Sequence, residues 1–122
     1  MHPDLDGIEF DWLARDTDGN IALFATAGEG FFPAPVTTHH AKHSAITEAI
    51  PSPHTGTEKV WSDYAAVGLY VFDWDLPGGP YKLRATPMKQ ASSELVADIA
   101  AVPQLPRFNG SFASLKELSQ WQ

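Results

Sequence analysis

At 122 residues and 13.3 kDa the chain suits one domain, 1–122, and area scaling buries about two-thirds of its surface on folding, so no covalent staples are needed. It has no cysteine, which excludes a disulfide framework, a thiolate metal site and a cysteine nucleophile. Eight Lys and Arg against fifteen Asp and Glu leave a net charge of −7, the wrong sign for nucleic acid or an anionic membrane, suited to a basic protein partner or simply to solubility.

Residues 1–6 show neither a basic stretch nor an apolar run, so no signal peptide is read there and the segment is expected to be flexible. No apolar run approaches the roughly 18 residues of a transmembrane helix. A cytoplasmic protein is the expectation, with cysteine absence pointing the same way.

Gly7 to Ala27 reads as a hairpin. Ile8, Phe10 and Trp12, then Ile21, Leu23 and Ala25, alternate around the turn Asp16-Thr17-Asp18-Gly19-Asn20. One face is expected to be buried, with Glu9, Asp11, Asp16 and Asp18 pointing outward. Gly28-Glu29-Gly30-Phe31-Phe32-Pro33-Ala34-Pro35 then reads as a constrained loop. A helix follows from about His39 to Ile50, capped by Thr37 or Thr38, with Ala41, Ala45, Ile46, Ala49 and Ile50 on one stripe. Pro51-Ser52-Pro53 ends it.

A second helix is expected over Thr57–Ala66, with Thr57 as cap and Val60, Trp61, Tyr64 and Ala65 on one side. Leu69 to Trp74 reads as a strand, Pro77-Gly78-Gly79-Pro80 as a turn and Tyr81 to Thr86 as the returning strand. Leu95, Val96, Ile99 and Val102 suit a short helix cut off by Pro103 and Pro106. Phe108 to Phe112 reads as a last strand and Ser114 to Trp121 as a turn or helix. Together these give an α+β fold: a mostly antiparallel sheet with two or three short helices.

Several constellations invite chemistry. His39 and His43 are four apart and could share a helix face as zinc ligands, with His54 or Glu48 as a third, but the usual central Glu is absent and a solvated helix start is the stronger reading. Asp16-Thr17-Asp18-Gly19-Asn20 has the opening of a calcium loop, yet position 27 is Ala where the closing Glu should stand, so a plain turn is expected. Gly28-Glu29-Gly30 lacks the Lys-Ser/Thr and the following helix of a phosphate loop. No nucleophile-elbow spacing singles out a serine. Asp73 and Asp75 share a strand face and could do acid–base work, though such pairs are more often a wet face. No cofactor and no metal are therefore expected, and an enzyme is the weaker reading.

The remaining signal is acidic and aromatic interleaving over Trp61, Asp63, Tyr64, Tyr70, Phe72, Asp73, Trp74 and Asp75. Core aromatics with solvated acids would explain it. So would an acidic patch with an aromatic anchor for a basic partner.

Residues 10–28, Gly68 to Trp74 and Gly79 to Leu83 resemble a family of small bacterial immunity proteins of polymorphic toxin systems. The pattern is a strand, an Asp-Gly turn, a strand ending in Thr-Ala-Gly and a later aromatic strand, spread over roughly 75 residues. The resemblance implies a cytosolic antidote that binds a cognate toxin and blocks its active site. A basic nuclease-type toxin would suit the acidity. Asp11, Asp16, Asp18, Glu29, Phe31, Asp63, Asp73 and Asp75 are the candidate contact residues, with Phe31 in a protruding loop. The alternatives are a ligand-binding or regulatory module with a pocket around Trp12, Trp61 and Trp74, and a small carboxylate enzyme.

Overall fold

Apolar residues occupy successive positions in Trp12-Leu13-Ala14 and in Ile21 through Ala25, so this hairpin has no polar face to give to water. The computed structural model describes residues 10–26, 31–73 and 80–121. Among them run β1 (Asp11–Arg15), β2 (Ile21–Ala25), α1 (Ala34–Thr38), α2 (His40–Ala49), α3 (Val60–Ala66), β3 (Tyr70–Asp73), β4 (Tyr81–Ala85), α4 (Ser93–Ala100) and β5 (Glu117–Leu118). The strands lie side by side in chain order. β2 and β3 are parallel, joined through α1, α2 and α3, and every other pairing is antiparallel. The architecture is the expected α+β one, with four helices among the described residues where two or three were read. None of these helices is long and apolar enough to cross a membrane.

The register puts Trp12 opposite Phe24 and Leu13 opposite Leu23. Trp12 and Ile21/Leu23 therefore face opposite sides of the sheet, and the expectation of one buried face gives way to two. On one side Trp12, Phe24 and Phe72 stack across three strands, at 4.4 and 4.8 Å between centroids and nearly parallel. Tyr81 and Phe112 close over them with Trp121. On the other side Leu13, Leu23 and Val71 meet Ile50, Tyr64 and Ile99 from the helical layer. Fully burying a side chain of this kind contributes about 1.5–3 kcal/mol, so both layers matter to stability.

Three local readings change. Thr37 and Thr38 lie inside α1 instead of capping α2, whose first turn has no side-chain cap. The buried residues of α2 are His43 and Thr47, while Ala41, Ala45 and Ala49 are exposed. Small alanines gain little by burial, whereas His43 satisfies a strand-edge N–H, so the polar pair wins the inward face. Residues 108–112 form no strand. Arg107 makes a lone parallel bridge with Arg15, and the last strand is β5, inside the stretch read as turn or helix. Gly68 ends α3 with φ +104°, and a Cβ there would meet the Ala91 backbone nitrogen at 2.5 Å. The readings placed on residues 1–9, 27–30 and 74–79 lie outside the described residues.

Candidate functional site

β2 and β3 run parallel and end together at Ala25 and Asp73, beside the start of antiparallel β1 at Asp11. The crossover helices α2 and α3 and the loop between them cover this end. The result is an open cleft of about 740 Å³. Ligand sites favour such places, outside the carboxyl ends of parallel strands and beneath a crossover.

The walls are aromatic and the charges are all of one sign. Trp61 and Tyr64 from α3 and Phe10 ahead of β1 line the cleft together with Asp11, Glu48, Glu58 and Asp73, and among the described residues no Lys or Arg does. Two hydrogen bonds aim the inner carboxylates. Tyr64 Oη–H donates to Asp11 Oδ2 at 3.2 Å, and Trp61 Nε1–H donates to Asp73 Oδ2 at 3.0 Å. Burial, then the Asp11 charge, push the Tyr64 phenol up to about 12, so it stays a donor at neutral pH. Lys82 stands opposite Asp73 on β4, and the Arg84 guanidinium lies over the Trp61 ring, 5.1 Å from its centroid.

The eight contact residues read from the sequence scatter. Asp11 and Asp73 meet in the cleft. Asp18 is exposed at the hairpin turn, at the opposite end of β1. Asp16, expected to point outward, is 2% exposed. Its carboxylate accepts from the backbone N–H of Asp18, Asn20 and Phe112 and from the Asn20 amide, and so holds the turn. Asp63 is also buried. It accepts from His54 N–H at 2.9 Å and Nδ1 at 2.8 Å, fastening the loop ahead of α3. Burial alone would raise its pKa, but the His54 hydrogen bonds prevail and hold it below the ordinary value. Phe31 does not protrude: it is half-buried against Tyr81, whose hydroxyl donates to its carbonyl at 2.7 Å. Glu29 and Asp75 lie outside the described residues.

His39 and His43 are each otherwise engaged. His39 Nε2 is 3.2 Å from Gln104 Oε1, and the buried His43 accepts the Leu13 N–H through Nδ1 at 2.9 Å. Among the described residues no three His, Cys, Asp or Glu gather closely enough for a metal ion. Glu58 escaped the sequence reading, and Glu48 entered it only as a metal ligand. Both are solvated charges in a helix and a turn, and only the crossover brings them beside Asp11 and Asp73.

The described residues form an α+β fold with a parallel crossover and an open cleft at its strand ends. No family model, curated protein or solved structure matches the chain.

Proposed function

We propose that the protein is an antidote-type binding protein, an immunity protein for a bacterial toxin, acting in the cytoplasm through the acidic cleft. The observation that carries this reading is the lining itself: among the described residues it holds four carboxylates, Phe10, Trp61 and Tyr64, and neither Lys nor Arg, in an open concavity. Buried aromatic anchors supply most of the affinity at protein interfaces, while like-signed carboxylates speed encounter with a basic surface and reject acidic ones. A nuclease cleft is built to hold phosphates, and an acidic protein covering it would block the active site.

The double variant Asp11→Asn/Asp73→Asn tests it. Both changes keep the hydrogen-bond acceptor and remove the charge, so the fold should survive. A tagged wild-type protein should capture one stoichiometric partner from native cells at low salt and lose it at high salt. The double variant should bind that partner at least tenfold more weakly, with a flatter salt dependence, while Asp18→Asn changes neither. Equal capture by wild type and double variant would reject the cleft as the interface. The second reading, a small-ligand module, is favoured by the cleft volume, which lies within the range of ligand pockets.

A further inference from the structure

We infer that Arg15 and Arg107 form a clamp for a phosphoryl group, at the end of β1 opposite to the acidic cleft. This site does not rest on the antidote reading.

The pair is made by the fold alone. Arg15 ends β1, Arg107 belongs to the segment after α4, and the two meet in a lone parallel bridge. Arg15 N–H donates to Pro106 O at 3.0 Å and Phe108 N–H donates to Arg15 O at 2.7 Å, which pins the register. Thr17 N–H donates to Gly110 O at 3.1 Å and holds the segment just beyond. Each arginine stands between two buried neighbours, Ala14 and Asp16 on one side of the bridge, Pro106 and Phe108 on the other. Alternation therefore sends both side chains out on the same face, and both are exposed. Adjacent strands lie about 4.8 Å apart, so the two guanidinium groups can close on one ligand.

Like charges placed directly opposite each other repel, and nothing nearby offsets this repulsion. The chain has fifteen Asp and Glu against eight Lys and Arg, yet no carboxylate among the described residues pairs with Arg15 or Arg107. Asp16, next to Arg15, turns the other way and accepts the Phe112 N–H. The third arginine of the chain, Arg84, is engaged elsewhere, over the Trp61 ring.

An anion between the two guanidinium groups would remove the repulsion and take up their donors. One planar fork already satisfies both oxygens of a carboxylate. Two forks side by side call for more acceptors and more charge. A phosphoryl group supplies three acceptor oxygens and a charge of about −1.5 to −2 at neutral pH. A nucleic-acid strand is a poor match, because it would extend from the clamp over a protein of net charge −7.

Carbon-detected NMR can follow the three arginine Cζ signals at neutral pH, assigned through Arg15→Gln and Arg107→Gln. Both side chains are exposed, so these variants should fold. The probes are inorganic phosphate, N-acetyl-phosphoserine methylamide and acetate, at constant ionic strength. Phosphate should shift the Arg15 and Arg107 signals together and saturably, leave Arg84 unmoved, and bind about tenfold more tightly than acetate. Arg107→Gln should weaken the response at Arg15 about tenfold, and Arg107→Lys, which keeps the charge without the fork, about threefold. Comparable binding of the phosphoserine probe assigns the clamp to phosphorylated molecules, and binding of inorganic phosphate alone assigns it to the free ion. Shifts that never saturate, an equal response to acetate, or an unchanged Arg15 response in Arg107→Gln would overturn the inference.

Discussion

The Asp16 carboxylate accepts four hydrogen bonds, three from its own turn and one from the C-terminal segment. Its two oxygens take three backbone N–H groups and one side-chain amide at 2.8–3.1 Å. Removing the acceptor strands buried donors, which costs about 1–3 kcal/mol each where water cannot reach them. Asp16→Ala should therefore lower stability by about 3 kcal/mol, read from urea unfolding. Asp16→Asn should be nearly as harmful, because its amide would aim a second donor at N–H groups already there. A wild-type midpoint for Asp16→Asn would show that the carboxylate charge and its second acceptor do nothing. The turn itself was legible, since Asp-x-Asp-Gly-Asn is strong turn chemistry and Gly19 takes φ +86°. That Asp16 faces inward was not legible. One of its four donors, the Phe112 N–H, comes from the far end of the chain, and no local pattern announces it.

The docking of α2 on β1 turns on one imidazole. His43 is fully buried, and its Nδ1 accepts the Leu13 N–H that β1, as an edge strand, cannot give to a neighbour. Accepting at Nδ1 places the ring proton of the neutral form on Nε2, which has no partner among the described residues. Burial first, then the positive charges of His39 and His40, lower its pKa from 6.5 to about 4. The unfolded chain takes up this proton below about pH 6.5 and the native protein only near 4, so the unfolded state binds more protons in between and stability falls as pH falls. The shift corresponds to a loss of about 3 kcal/mol across that window. Asp63 adds a loss of the same sign below 3.8, where its carboxylate is held ionised. Urea unfolding between about pH 7 and about pH 4.5 should show the loss in the wild type, and His43→Asn should flatten it while starting from lower stability. Parallel pH profiles for the two proteins would refute a neutral, edge-capping His43. Helix periodicity gave α2 its place in the chain, but it ranks residues by hydrophobicity, and so it assigned the alanine stripe inward and the histidine outward.

At the scale of the whole molecule, α2, α3 and α4 cover one face of the sheet, while Val36 of α1 and a segment with almost no regular structure pack on the other. That segment starts at the β1 edge, where Arg15 N–H donates to Pro106 O and Phe108 N–H to Arg15 O. It crosses the aromatic face through Phe108 and Phe112 and ends beside β4, where Leu83 N–H donates to Lys116 O and Leu118 pairs with Tyr81. Sequence periodicity cannot see such a cover. Its apolar residues, Phe108, Phe112, Leu115, Leu118 and Trp121, are spaced by the sheet they lie on and not by a helix or strand of their own. The same blindness hid the cleft, whose four carboxylates come from β1, α2, the loop before α3 and β3. Phe112 is the centre of the cover: it is fully buried, its ring meets Phe24, Phe72 and Phe108, and its N–H is the one held by Asp16. Phe112→Ala should cost about 3–5 kcal/mol, a large part of the 5–15 kcal/mol typical of a domain. Because Asp16 and Phe112 anchor the same segment, the loss in Asp16→Ala/Phe112→Ala should fall short of the sum of the single losses by at least 0.5 kcal/mol, roughly the size expected for residues in contact. Urea unfolding of the four proteins closes the cycle. Additive losses would mean that the turn and the cover are stabilised independently, and that the segment does not tie the first hairpin to the far side of the sheet.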